Sequence, residues 1–360
     1  MSTINAETNT APLEDSASAI QRRPPLLEVK HLAVRYLTEA GAVPACEDVN
    51  LTLHRGEILG IAGESACGKS TLLTAITRLQ RVPAVTSNGS VIYHPSDKSA
   101  PVDLVKLSEK ALMPLRWSDV SIVMQSAMAA LNPVMRLGAQ FTDVLQLKNR
   151  GMSKKDALDK AAGLLDLVGI AGHNVNSFPH QLSGGMRQRS LIALAMASDP
   201  ELIVMDEPTT AVDVVMQRKI LSQVMALQEE RGFAIMFVTH DLSLLLEISD
   251  RIAIMYAGRI VEIGSAAQLY RAPQHPYTQG LRNAFPPLRE PVRRISGIAG
   301  TPPNLLDLPP GCSFAPRCSR ATAECLTAFP PLLPRGTGHV ACIHPLSPKD
   351  EATPAAKELP

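Results

Sequence analysis

Three short stretches of this chain carry residue types whose spacing suits chemistry on phosphate. The first, Gly63-Glu64-Ser65-Ala66-Cys67-Gly68-Lys69-Ser70, matches the pattern G-x-x-x-x-G-K-[ST]. In such a loop the backbone N–H groups cradle phosphates, Lys69 reaches the outer phosphates, and the Ser70 hydroxyl ligates magnesium. The second is Leu202-Ile203-Val204-Met205-Asp206-Glu207-Pro208, a short apolar run that ends in two carboxylates. Such a run reads as a strand buried on both faces, and its end lies at the sheet edge where open α/β folds bind ligands. Asp206 is placed there to hold magnesium, directly or through water, and Glu207 to polarise a water. The third is Leu182-Ser183-Gly184-Gly185-Met186-Arg187-Gln188-Arg189. Ser183, Gly184 and Gly185 open a helical segment whose free N–H groups and dipole favour an anion. Taken singly, a Ser-Gly-Gly turn is also plain capping, and an apolar run ending in acids is also an ordinary strand end. Their order along one chain gives the combination its weight.

These residues need elements to hold them. The glycine loop follows the apolar run Ile58–Ala62 and precedes a helical pattern over Thr71 to Leu79, the strand–loop–helix context that the motif requires. A second buried strand, Phe233 to Val238, ends in Thr239-His240-Asp241, which brings His240 to the sheet edge that Asp206 and Glu207 occupy. A lone histidine after a strand is otherwise structural; a neutral imidazole here could orient an attacking water and a phosphate together. From Leu26 the pattern alternates through LLEVKHLAVRY and EDVNLTLHRGEILGIAG, with Gly56 as a turn. Turn signals in residues 86–120 predict the rest of a small antiparallel sheet. Residues 134–180 read as helices, one of them capped by Ser153, and Arg251 to Gly264 as a hairpin turning at Ala257-Gly258. The class is α/β.

At 360 residues, with 45% hydrophobic and 19% charged residues, the chain has the balance of a globular protein with a sizeable core. A net charge of +1 gives no bulk argument for nucleic acid. No apolar run reaches bilayer-spanning length and the polar start lacks a signal-peptide core, so work at a membrane is expected to go through partners. Residues 1–25 and 346–360 are small and polar and read as disordered tails.

Together the three motifs resemble the nucleotide-binding subunit of an ATP-binding-cassette (ABC) transporter, over roughly residues 26 to 345. The resemblance implies a P-loop NTPase cassette over 26–265: a mixed central sheet, an antiparallel β subdomain, and a helical subdomain at about 127–185 that carries the signature. It also implies ATP and Mg2+ as ligands and hydrolysis of ATP. In this family two cassettes pair head to tail, so Ser183, Gly184 and Gly185 would close on the ATP held by the companion's P-loop. The P-loop set is Gly63, Glu64, Ser65, Ala66, Cys67, Gly68, Lys69, Ser70 and Thr71. Tyr36, otherwise a sheet aromatic, matches the residue on which adenine stacks. Gln125 matches the glutamine that touches magnesium and senses the membrane subunits, Asp213 the loop linking the two sites, and His240 the switch histidine at the γ-phosphate. Ala130-Leu131-Asn132-Pro133-Val134 matches the permease branch, while Ser126-Ala127-Met128 departs from the usual acidic-Pro-Met.

Two tail runs, Pro273-Gln274-His275-Pro276-Tyr277-Thr278-Gln279-Gly280-Leu281 and Gly300-Thr301-Pro302-Pro303-Asn304-Leu305-Leu306, have no catalytic logic of their own. By composition, 266–345 is a proline-rich appendage with little regular structure. It resembles the C-terminal segment of dipeptide and oligopeptide (also nickel or glutathione) permease ATPases, of the first of two companion types. The partners so implied are a second ATPase, two permease subunits and an extracytoplasmic solute-binding protein, with the chain on the cytoplasmic face of the inner membrane. Cassette ATPases of DNA repair or translation differ in commonly carrying two cassettes or a long coiled coil, and small-metabolite P-loop kinases in lacking the signature.

Six cysteines without a secretory signal suggest reduced thiols or metal ligands. Cys312, Cys318, Cys325 and Cys342 crowd into the tail. Zinc would accept four thiolates, but its usual short C-x2–4-C pairs are missing. By resemblance, Gly311 to Cys318 matches a motif that binds a [4Fe–4S] cluster in relatives, with His339 and His344 as substitute ligands.

Overall fold

The computed structural model describes residues 19–97, 99–124, 130–209, 213–284 and 297–347. Two sheets form the frame. Strands β1 (Pro25–Thr38), β2 (Gly41–His54), β4 (Ala84–Tyr93) and β5 (Val102–Asp103) make an antiparallel sheet in the order β2-β1-β4-β5. Alternating apolar residues of β1 and β2 (Leu27, Val29, Leu32, Val34; Val49, Leu51, Leu53) turn inward, as period-two patterning requires. The first strand continues two residues past Tyr36, to Thr38, because β2 returns on it through a tight turn at Gly41.

The second sheet holds the chemistry. With β3 (Ile58–Ala62), β6 (Val120–Val123), β7 (Leu202–Asp206), β8 (Ala234–Val238), β9 (Arg251–Tyr256), β10 (Arg259–Ser265), β11 (Leu333–Arg335) and β12 (Gly338–Val340), its order is β11-β12-β10-β9-β3-β8-β7-β6. From β9 to β6 all neighbours are parallel, while β9 and β10 form the hairpin through Ala257-Gly258. Every residue of β3, β7 and β8 is buried, which fits their unbroken apolar runs between layers of helix. On one face Leu59, Ile61, Leu202, Val204, Met236 and Val238 share a core with the antiparallel sheet and the helix Lys69–Ile76. On the other, Ile203, Met205, Ile235 and Phe237 pack with the helices Leu137–Lys148, Lys154–Leu167, Gly184–Met196 and Val214–Arg231. Ser153 caps the second of these by accepting the Asp156 N–H at 3.1 Å.

The C-terminal segment is more ordered than its proline content suggests. Two short strands, β11 (Leu333–Arg335) and β12 (Gly338–Val340), pair with each other, and β12 pairs with β10 to lengthen the main sheet. The helix Pro276–Ala284 precedes them and buries Tyr277, Thr278 and Leu281. Among the described residues, no helix is long and apolar enough to cross a membrane.

Candidate functional site

Parallel pairing sets the site. Ile61 lies level with Val238 across β3 and β8, and Asp206 level with Val238 across β7 and β8. The loops after β3, β7 and β8 therefore leave the sheet at one edge, which brings together the glycine loop, Asp206-Glu207 and Thr239-His240. Gln125 follows β6 but lies outside the described residues, as do Thr210 to Val212.

The glycines of the loop have specific work. Gly68 has φ of +105°, and a Cβ there would stand 2.2 Å from the Ala45 carbonyl oxygen. At Gly63 a Cβ would stand 2.2 Å from the Met255 carbonyl oxygen. The loop thus winds tightly between β2 and the end of β9, and only glycine fits. It feeds directly into the helix Lys69–Ile76, so its N–H groups and the helix N-terminus face the same space. The Lys69 ammonium donates to the carbonyls of Gly63 at 2.7 Å and Glu64 at 2.8 Å, folding back across the loop. Cys67 is buried, which raises its thiol pKa; Ser65 and Ala66 are exposed and form the lip of the loop.

Asp206 is buried, with one carboxylate oxygen, Oδ1, lacking any hydrogen-bond partner. Burial pushes its carboxyl above the usual range and the neighbouring Glu207 adds to this, while a hydrogen bond from Ser70 and the Lys69 charge oppose it. A buried acceptor left unpaired costs about 1–3 kcal/mol. Ser70 and Asp206 supply two hard oxygen ligands, and a divalent cation would satisfy the orphaned oxygen, so the donor set fits magnesium.

Glu207 has φ of +45°, a strained conformation for a non-glycine residue, and its N–H is held by the Val238 carbonyl at 2.9 Å. That turn aims the side chain toward β8, where its Oε1 lies 3.3 Å from His240 Nδ1. The Glu207 side chain is 17% exposed and His240 65%, so the pair stands at the mouth of the site with the carboxylate on the inner side. Tyr36 is half-buried on β1, and its hydroxyl lies 3.1 Å from the Thr71 hydroxyl, which sets the ring beside the start of the loop helix.

The third motif is built as a helix start. Ser183 caps Gly184–Met196 by accepting the Met186 N–H at 3.2 Å, and Ser183 itself is exposed with Gly184 and Gly185 half-buried. Arg189 fastens this helix to the helical layer by donating to the Gly169 carbonyl at 2.7 Å. Asp213 is exposed and caps Val214–Arg231, accepting the Met216 N–H at 3.0 Å.

Cys312, Cys318, Cys325 and Cys342 line one small cavity, together with His275 and His344. Burial pushes the Cys342 thiol up to about 11 and raises Cys312 and Cys318 as well. His275 is buried; its Nδ1 accepts the Tyr277 N–H at 3.0 Å, so Nε2 carries the proton, and that buried N–H has no partner. Among the described residues, no group of three His, Cys, Asp or Glu is spaced to hold a metal ion. The expected [4Fe–4S] cluster is therefore supported only by the chemistry of the thiols and their shared cavity. His339 lies on β12 and does not line that cavity.

Two residues that touch the glycine loop have no counterpart in its motif. Tyr277 and Arg317, both from the C-terminal segment, bind Glu64. Tyr277 stands inside the HPY run; Arg317 carries no signal in sequence beyond its place between two cysteines.

Comparison with known proteins agrees with this geometry. The family model described as ABC transporter matches residues 46–210, and the one described as oligopeptide/dipeptide transporter, C-terminal region, matches residues 261–325. The oligopeptide transport ATP-binding protein OppD of Bacillus subtilis is 41% identical over 339 residues, 92% of this chain and 93% of that protein. Its namesake in Haemophilus influenzae is 42% identical over 306 residues, 84% of this chain and 92% of that protein. The dipeptide transport ATP-binding protein DppD of Lactococcus lactis is 40% identical over 90% of this chain and 92% of that protein. Among solved structures, the dimeric ATP-binding cassette MJ0796 in a post-hydrolysis state with ADP and Pi matches with a TM-score of 0.60 at 28% identity, covering 67% of this chain and 98% of that one. With both family models matched and relatives about 40% identical aligned over more than nine tenths of their own length, the chain belongs to the ABC transporter ATPases that carry the oligopeptide/dipeptide transporter C-terminal region.

Proposed function

We propose that this chain is the ATP-hydrolysing subunit of a membrane importer of dipeptides or oligopeptides, working as one of two cassettes. The observation that carries the chemistry is the juxtaposition at one sheet edge of the Lys69 loop, the unpaired Asp206 oxygen beside Ser70, and the Glu207–His240 pair. The solute class rests on the names of relatives that align over both the cassette and the C-terminal region. Nickel or glutathione, carried by other members of such systems, are the alternative cargoes.

Each residue then has a role. The loop N–H groups from Gly63 to Thr71 and Lys69 neutralise the phosphates, and Tyr36 stacks on adenine. Ser70, Asp206 and Gln125 hold magnesium, which supplies charge neutralisation of the phosphates. Glu207 accepts the proton of the attacking water and His240 orients the terminal phosphate. Ser183, Gly184 and Gly185, presented at an exposed helix start, serve the companion's nucleotide, and Asp213 links the two sites. The four thiols that line one cavity would hold a [4Fe–4S] cluster, which would brace the C-terminal segment. Coupling to two permease subunits, with a solute-binding protein on the outer side, would put the chain on the cytoplasmic membrane face.

Expression of the tagged chain in its native host tests this. Recovery with hydrophobic permease subunits, and ATP hydrolysis that rises when peptide-loaded binding protein is added, is the expected result. Recovery as a lone soluble ATPase unaffected by membranes or peptides would overturn it.

A further inference from the structure

Glu64 is the first variable position of the glycine loop, where the pattern accepts any residue. Here it is gripped from outside the cassette's core motifs. The Arg317 guanidinium binds its carboxylate in fork-to-fork geometry, Nη1 to Oε2 at 2.6 Å and Nη2 to Oε1 at 2.9 Å. The Tyr277 hydroxyl accepts the Glu64 backbone N–H at 2.8 Å. Both partners come from the segment that follows the hairpin, more than two hundred residues away in sequence.

The grip is rigid. Arg317 also donates from Nε to the Ala299 carbonyl at 2.9 Å and from Nη1 to the Tyr256 hydroxyl at 3.2 Å. Tyr277, Tyr256 and Phe314 pack ring on ring, with centroids 4.6 Å apart for the two tyrosines and 5.3 Å from each tyrosine to Phe314. The Arg317 side chain is 5% exposed and Glu64 24%, so this pair is shielded from the screening that makes most surface ion pairs worth little. The carbonyl of the same Glu64 is one of the two on which the Lys69 ammonium rests. A shift of Glu64 therefore moves the support of the lysine that meets the phosphates.

We propose that Arg317 and Tyr277 are positioning residues for the nucleotide loop, acting through Glu64, so that the C-terminal cysteine segment and the nucleotide site are energetically coupled. The proposal rests on nucleotide binding at the Lys69 loop, and it stands whether or not the cysteines hold a cluster. Because coupling is reciprocal, nucleotide in the loop stabilises the 312–318 segment to the extent that the segment favours nucleotide.

The test uses the full chain, Mg·ATP and the variants Glu64→Gln, Arg317→Gln, their double and Arg317→Lys. Glu64→Gln keeps the side-chain shape at a partly exposed position, so it leaves a folded protein even where Arg317→Gln loses stability. Hydrogen–deuterium exchange is followed in peptides covering 63–71 and 312–318. In the wild type, Mg·ATP slows exchange in both. Glu64→Gln and Arg317→Gln each weaken binding about five- to tenfold, the double no more than either alone, and Arg317→Lys recovers part of the loss. At saturating Mg·ATP the variants keep protection at 63–71 and lose it at 312–318. Unchanged affinity, additive losses, or protection of 312–318 persisting in the variants would overturn the coupling. Absence of protection at 63–71 in the wild type would instead overturn nucleotide binding, and the coupling with it.

Discussion

Gly68→Ala is the substitution whose consequence can be worked most closely from the geometry. The added methyl would stand 2.2 Å from the Ala45 carbonyl oxygen on β2 and 2.9 Å from the Met255 methyl, where ordinary contact begins at 3.4 Å. The methionine methyl can swing aside, but the carbonyl is main chain of β2, tied to β1 through Pro44 and Cys46 on either side of Ala45, and yields far less readily. The loop itself must withdraw by about 1 Å, against a φ of +105° that costs alanine about 1–2 kcal/mol more than glycine. A loop withdrawn by about 1 Å loses N–H contacts to the phosphates, and two charge-assisted hydrogen bonds at about 1.5 kcal/mol each amount to a loss on the order of 100-fold in affinity. Titration with a fluorescent ATP analogue should show affinity weakened about 100-fold, while the melting temperature without nucleotide falls only by the few degrees that about 1–3 kcal/mol of overpacking implies. Affinity within threefold of wild type would refute the tight seating of the loop between β2 and β9.

Further outcomes follow from the same site. Lys69→Ala should weaken Mg·ATP binding by about 1.5–3 kcal/mol, the worth of a charge-assisted hydrogen bond, read by equilibrium titration. If the exposed helix start serves the companion as proposed, Ser183→Arg should leave nucleotide binding at the chain's own loop nearly intact and impair hydrolysis in the assembled pair; full activity from a dilute monomer would count against this. Anaerobic purification should give brown protein with about four irons per chain, and Cys318→Ser should lose the colour and expose the C-terminal segment to protease with ATP binding retained. Stoichiometric zinc would put a different metal in that cavity, and metal-free protein would leave plain thiols.

What sequence makes legible here is what is local. The glycine loop, the strand that feeds it and the helix that follows are contiguous, so one pattern specifies all three, and the structure holds them as β3, the loop and Lys69–Ile76. The acidic pair and His240 were legible because parallel strands with buried runs must end at one edge. The helix after the loop stops at Ile76, short of the predicted Leu79, because Arg78 adopts a left-handed φ of +55° and its guanidinium reaches the Leu104 carbonyl, a tertiary contact with no periodic signature. The C-terminal segment was least legible. Its strands are three residues each, one of them with a proline at its centre, too short for alternation to register, and β12 gains its place by pairing along the edge of β10. Likewise the Arg317–Glu64 pair spans 253 residues, and a contact at that separation leaves no mark on local composition.

In the proposed mechanism Glu207 polarises the water that cleaves ATP held by the Lys69 loop. Its most direct measurement is Mg·ATP hydrolysis by Glu207→Gln in the assembled transporter, alongside Mg·ATP binding by the same variant. The Glu207 carboxylate sits at the inner mouth of the site, 3.3 Å from His240 Nδ1, and the amide keeps its shape while losing its basicity. Binding should stay near wild type and hydrolysis should fall by about 100-fold or more, the usual range for loss of a general base. Hydrolysis at near wild-type rate would contradict the account.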